Sequence, residues 1–239
     1  MLGLDSNKLG KYLMELIGTG ILLLTIQLSL GLEDLSQAPI AIGLMLTCII
    51  YAGGPISGGH YNPAISLAVA LRGKLDHAEM LMYWIFQIIG GFLGALLGGI
   101  IGGNLAGLSL GEGHSGLQAF LAELVFTFLL CFVCLGVATH SDASDNSYYG
   151  MAIGLVVLSG LILVGPISGG AFNPAVVLGL SLAKLDILNL MYILNIILAN
   201  LLGGILAATC FHLVAPDQFL AGTSHNGHLP VGETTHLMK

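Results

Sequence analysis

The chain has 239 residues, of which 56% are hydrophobic and only 8% charged, with a formal net charge of −7 and a mean hydropathy of +0.94. A soluble domain carries about a quarter of its residues as charged groups, so this composition excludes a water-enclosed globule and points to a surface that faces lipid. The acids sit mainly in loops and the C-terminal tail, and the absence of a basic stripe excludes a nucleic-acid partner.

Apolar stretches close to the ~20 residues that cross a bilayer fall, in chain order, at 9–31, 38–55, 79–103, 117–139, 148–166 and 188–213. Lys8 and Lys11 precede the first, which continues from Leu13 to Leu32 with no small-residue cleavage site after a short apolar core. It therefore reads as a membrane helix and not as a cleavable signal. The separators Glu33–Gln37, Asn104–Gly116 and His140–Ser147 are polar or glycine-rich.

Two more apolar segments, Tyr61–Leu71 and Phe172–Leu182, are only about eleven residues long, half a bilayer if helical. Each follows a loop of Gly, Pro and Ser, a broken backbone tolerated at membrane depth only when buried in protein or lining a water-filled cavity. These segments are expected to be re-entrant half-helices. Of the basic residues, Lys8, Lys11, Arg72, Lys74 and Lys239 fall on one side of a six-span topology and Lys184 on the other. The positive-inside rule then places both termini in the cytoplasm of a multi-pass protein of the cell membrane.

The chain repeats itself. Gly54-Pro-Ile-Ser-Gly-Gly-His-Tyr-Asn-Pro-Ala64 returns as Gly165-Pro-Ile-Ser-Gly-Gly-Ala-Phe-Asn-Pro-Ala175, and Lys74-Leu-Asp76 returns as Lys184-Leu-Asp186. Weaker echoes keep the order: Glu15 and Thr19 match Glu123 and Thr127, and Gln87 with Gly90 matches Asn200 with Gly203. Each unit (9–103 and 117–213, with a polar tail at 214–239) holds three spans, an odd number, so the two are inverted relative to each other. Paired short segments in inverted halves point to a transport site near the midplane.

Two Asn-Pro-Ala boxes, Asn62-Pro63-Ala64 and Asn173-Pro174-Ala175, in this setting resemble the major intrinsic protein family of aquaporins and aquaglyceroporins, over nearly the whole chain from Lys11 to His212. The resemblance implies one all-α channel domain over 1–239, with six transmembrane helices and two half-helices in an inverted 3+3 repeat. It also implies a homotetramer in membrane lipid with one pore per subunit, passing water or small neutral solutes. Residue chemistry agrees. Asn is a preferred N-cap and Pro suits the first helical position, so Asn62 and Asn173 are expected to cap half-helices that meet N-terminus to N-terminus. Their amide groups would then be free to donate into the pore. The two helix N-termini place about half a positive charge each at the midpoint, which repels protons and metal cations.

The family usually carries an arginine directly after the second box; here that position is Val176, and Arg72 is the only arginine in the chain. Counting along the resemblance gives Ile42, Leu161 and Gly170 as the other filter positions. The inferred ring is apolar: wide enough for glycerol, urea, ammonia or hydrogen peroxide, or tight enough to dewet and close.

Glu15 and Glu123 lie inside spans, where a carboxylate suggests function by default; in the resembled family the matching glutamates accept bonds from the re-entrant loops. His60 is expected at the cytoplasmic vestibule, as a wall residue or a pH-sensitive group. Gly90, Gly94, Gly98 and Gly102 form a small-residue face for packing within the chain or between subunits. Cys131 and Cys134 read as packing residues, and His225, His228 and His236 as part of a disordered tail with spacing too loose for a metal site. Cofactors and enzymatic activity are not expected. The rival readings are a proton-coupled secondary transporter and a closed, structural membrane protein.

Overall fold

The structure, a computed structural model, describes residues 6–32, 34–186 and 189–220. Among these the chain is helical, with α1 (Ser6–Ser29), α2 (Ala38–Ser57), α3 (Pro63–Leu71), α4 (His77–Gly102), α5 (Gly116–Thr139), α6 (Tyr149–Ser168), α7 (Pro174–Lys184), α8 (Leu190–Val214) and a final turn α9 (Asp217–Leu220). Six of these helices are long and apolar enough to cross a membrane, and they agree with the six expected spans to within a few residues. The half-helices α3 and α7 start at the prolines of the two boxes, two residues later than expected, because Tyr61 and Phe172 lie outside the helical backbone. The tail histidines His225, His228 and His236, and Lys239, lie outside the described residues.

Local chemistry sets the helix boundaries. Asp76 caps α4 by accepting from the Ala78 and Glu79 amides, at 2.8 and 3.3 Å. Ser115 and Gln118 form a reciprocal capping box at the start of α5. At the other end, α2 and α6 stop at Gly58 and Gly169, with φ of +93° and +84°, a left-handed backbone that glycine adopts without a Cβ penalty.

The two repeats pack alike. The most extensive interfaces are α1 with α4 and α5 with α8, equivalent pairs in the two halves, and α2 lies against α6 across the repeat boundary. Glycines allow the close approach. A Cβ on Gly90 or Gly94 would collide with the carbonyl oxygens of Leu16 and Gly20. In the second half a Cβ on Gly203 would lie 2.7 Å from the Leu124 carbonyl oxygen. Gly98 faces Gln27, whereas Gly102 meets only Leu28, so Gly90, Gly94 and Gly98 serve packing inside the chain.

Polarity is inverted relative to a soluble protein. Ile100, Leu117, Leu163 and Met191 are exposed, while Glu15, Gln87, Glu123 and Asn200 are fully buried. Outward apolar faces suit lipid, where helices associate by packing and not by hydrophobic burial. Arg72 is buried at the end of α3. Its guanidinium lies 4.6 Å from the Phe219 ring centre and 5.8 Å from that of Phe211. Gln218 of α9 accepts from the Ser141 amide at 3.0 Å and so binds α9 to the α5–α6 turn.

Candidate functional site

Each half-helix begins at an asparagine in extended backbone, with φ of −155° at Asn62 and −160° at Asn173. Asn62 Oδ1 accepts from the Ala64 amide and Asn173 Oδ1 from the Ala175 amide, both at 2.9 Å. The proline at the next position costs nothing, since its missing N–H would have no intrahelical partner. The two caps therefore form as expected.

The amide groups differ from the sequence expectation. Asn62 Nδ2 donates to the Phe172 carbonyl and Asn173 Nδ2 to the Tyr61 carbonyl, each at 2.9 Å. One N–H of each side chain is thus taken by the opposite repeat. An amide carries two N–H donors, so a second remains on each. The reason for the difference is that Tyr61 and Phe172 turn into left-handed backbone, with φ of +50° and +48°. Bulky residues rarely adopt this region, and the turn brings each carbonyl to the neighbouring half-helix.

Two buried carboxylates hold those turns. Glu15 accepts from Ser57 Oγ at 2.6 Å, the His60 amide at 3.0 Å, the Tyr61 amide at 2.7 Å and Gln87 Nε2 at 2.8 Å. Glu123 accepts from Ser168 Oγ at 2.7 Å, the Ala171 amide at 2.8 Å, the Phe172 amide at 2.7 Å and Asn200 Nδ2 at 2.7 Å. A carboxylate has about four lone-pair sites, so each is filled by donors, and its cost of burial is offset by hydrogen bonding. The Gln87 and Asn200 echoes prove to be the amides that complete these two sets.

Other supports were not legible in the sequence. Tyr83 Oη donates to the Ser57 carbonyl at 2.6 Å and Tyr192 Oη to the Ser168 carbonyl at 2.7 Å. The two tyrosines perform matching tasks from non-matching places, four residues (about one turn) before Gln87 and eight (about two turns) before Asn200, in each case on the helix face of the amide. Only Ser57 and Ser168 within the repeated motif hinted at this layer.

A cavity of about 650 Å³ runs beside the paired half-helices, and Asn62, Asn173, His60, Ile42, Leu161, Gly170 and Val176 all line it. Ile42 and Val176 are 5% and 3% exposed, and Gly170 adjoins Leu161, whose Cδ2 would lie 2.7 Å from a Cβ there. Pro63, Ala64, Pro174, Ala175, Glu15 and Glu123 stand behind this wall and are buried. His60 Nδ1 is 3.1 Å from Ser66 Oγ and its ring meets Tyr83 edge-on. Cys131 and Cys134 are free thiols in the helix core.

A sequence profile described as "Major intrinsic protein" matches residues 6–211 and, in a second segment, 145–233. The chain is 33% identical to "Glycerol uptake facilitator protein-like 6" of Lactiplantibacillus plantarum, over 87% of this chain and 99% of that protein. It is 37% identical to "Nodulin-26" of Glycine max over 57% of this chain, but spans only 51% of that protein. The solved structure of the aquaglyceroporin from Plasmodium falciparum superposes with a TM-score of 0.78 at 21% identity, covering 89% of this chain and 99% of that one, which establishes the fold. With a profile match across most of its length, an alignment that spans nearly all of a bacterial relative and this helical architecture, the chain belongs to the major intrinsic protein family of membrane channels.

Proposed function

We propose that the chain is a passive channel for water and small uncharged solutes of the glycerol type, with its pore along the cavity beside the half-helices. The observation that carries this reading is the reciprocal pair of asparagine bonds, which fixes two helix N-termini face to face on the wall of that cavity. A solute oxygen passing there meets the remaining amide donors, while a cation meets the positive ends of two helix dipoles. Ion exclusion then requires no charged side chain.

On this reading Ile42, Leu161, Gly170 and Val176 form an apolar filter. Lacking an arginine, it favours solutes that need little replacement of their hydration shell, and the relative named as a glycerol uptake facilitator-like protein supports glycerol among them. Both termini face the cytoplasm, and the working assembly in lipid is a homotetramer. The rival of a proton-coupled transporter needs a carboxylate with capacity to exchange protons in the pathway. Glu15 and Glu123 are saturated by donors and stand behind the cavity wall, which speaks against it.

The test is stopped-flow light scattering on proteoliposomes against empty liposomes, with water, glycerol, urea and ammonia. Accelerated flux with no dependence on a proton gradient is expected. Flux no faster than in empty liposomes would reduce the protein to a closed or structural member of its family.

A further inference from the structure

The connection between the two repeats approaches the cavity. Residues 104–111, which follow α4, carry no helix, yet the segment is fastened at both ends. Gln27 Nε2 of α1 donates to the Asn104 carbonyl at 3.0 Å, and the Gly111 amide donates to the Ile167 carbonyl at 3.0 Å. Between these ties Leu108 is only 7% exposed and joins the hydrophobic core, and it lies on the wall of the same cavity as Leu161 and Val176.

Its position is specific. A Cβ on Gly169 would lie 2.7 Å from Leu108 Cδ1 and 3.1 Å from its Cγ, so the isobutyl group occupies the space that a side chain at 169 would take. Gly169 immediately precedes the filter residue Gly170. The equivalent glycine of the first repeat, Gly58, faces the ring of His60 instead, with Nε2 3.1 Å from a Cβ built there. One mouth of the inverted pair thus presents an imidazole to its glycine turn, and the other presents a leucine borrowed from the inter-repeat connection.

We propose that Leu108 is a specificity-determining residue of the pore, an extra apolar wall contributed by the connection, which limits the bulk of solutes entering past Gly169 and Gly170. The inference rests on the channel reading above. It assigns selection at this mouth to a residue outside both repeats. Removing the isobutyl group widens the mouth; enlarging it narrows the passage for glycerol more than for water.

The test compares water and glycerol flux in proteoliposomes of the parent chain, Leu108→Ala and Leu108→Phe. The glycerol-to-water ratio is expected to rise about fivefold in the first and fall about fivefold in the second. Leu108→Cys provides a variant whose bulk is changed after folding. Treatment with a membrane-impermeant thiol reagent is expected to lower glycerol flux more than water flux, with the parent chain, which keeps its four native cysteines, treated alongside. A conducting parent whose ratio is unchanged in all three variants overturns the role of Leu108 and leaves the channel reading standing. A parent that conducts neither solute overturns both.

Discussion

Asn62 and Asn173 hold each other's half-helix in place: each donates at 2.9 Å to the carbonyl of the residue that precedes the other. Two segments separated by more than a hundred residues thereby share one polar junction at the centre of an apolar molecule. Each asparagine caps its own helix with its oxygen and fastens the opposite loop with its nitrogen.

Replacing either asparagine by alanine should therefore cost similar amounts. Loss of an N-cap costs about 1 kcal/mol, and a buried carbonyl left without its donor adds about 1–3 kcal/mol. Asn62→Ala and Asn173→Ala are each expected to destabilise the protein by about 2–4 kcal/mol, measured by thermal unfolding in detergent. A large effect at one position and none at the other would show that the junction is not shared.

Glu15→Gln and Glu123→Gln should behave as structural lesions. Each substitution turns one acceptor oxygen into an NH₂ that faces existing donors, so a loss of about 3–5 kcal/mol is expected, as for a broken buried charge network. The readout is the yield of folded protein and its unfolding temperature. A folded Glu15→Gln variant with normal water flux but a lost response to a proton gradient would instead favour coupled transport.

Val176→Arg tests the apolar filter. Val176 is 3% exposed and borders the cavity with Leu161 and Gly170, so an arginine there adds a long cation to an apolar part of the cavity wall. Glycerol flux is expected to fall about tenfold more than water flux in stopped-flow measurements. An unchanged solute spectrum in a folded, inserted variant would argue against these four residues as the filter.

Glycine substitutions should separate by location. Gly94→Ala places a methyl against the Gly20 carbonyl and Gly203→Ala places one against that of Leu124, and each is expected to destabilise by about 1–3 kcal/mol through overpacking. Gly136 has nothing within 4 Å of a built Cβ, so Gly136→Ala should stabilise α5 by about 0.5–1 kcal/mol. Unfolding temperatures that move in the same direction for all three would contradict the packing described.

Removing the stack between Arg72 and α9 should be a local change. Arg72→Ala loses the face-on contact with Phe219, worth about 0.5–2 kcal/mol. Faster amide exchange is expected over α9 and the turn at Ser141, with the half-helix junction unaffected.

The sequence by itself determined the membrane class, the six spans, the two half-helices and their inversion. These follow from local quantities: runs of apolar residues matched to bilayer thickness, and a repeated Asn-Pro start signal. The caps at Asn62 and Asn173 were legible for the same reason, since a cap is satisfied within three residues. Tertiary structure alone decided where the polar groups left over would go. The asparagine nitrogens reach across to Phe172 and Tyr61, Tyr83 and Tyr192 support equivalent loops from non-equivalent positions, and Leu108 enters the cavity wall from a connection that carries no periodic pattern. Such contacts depend on which segments approach in space. No window along the chain encodes that distance, and at membrane depth a donor that does not face the cavity must find its partner wherever the fold has placed one.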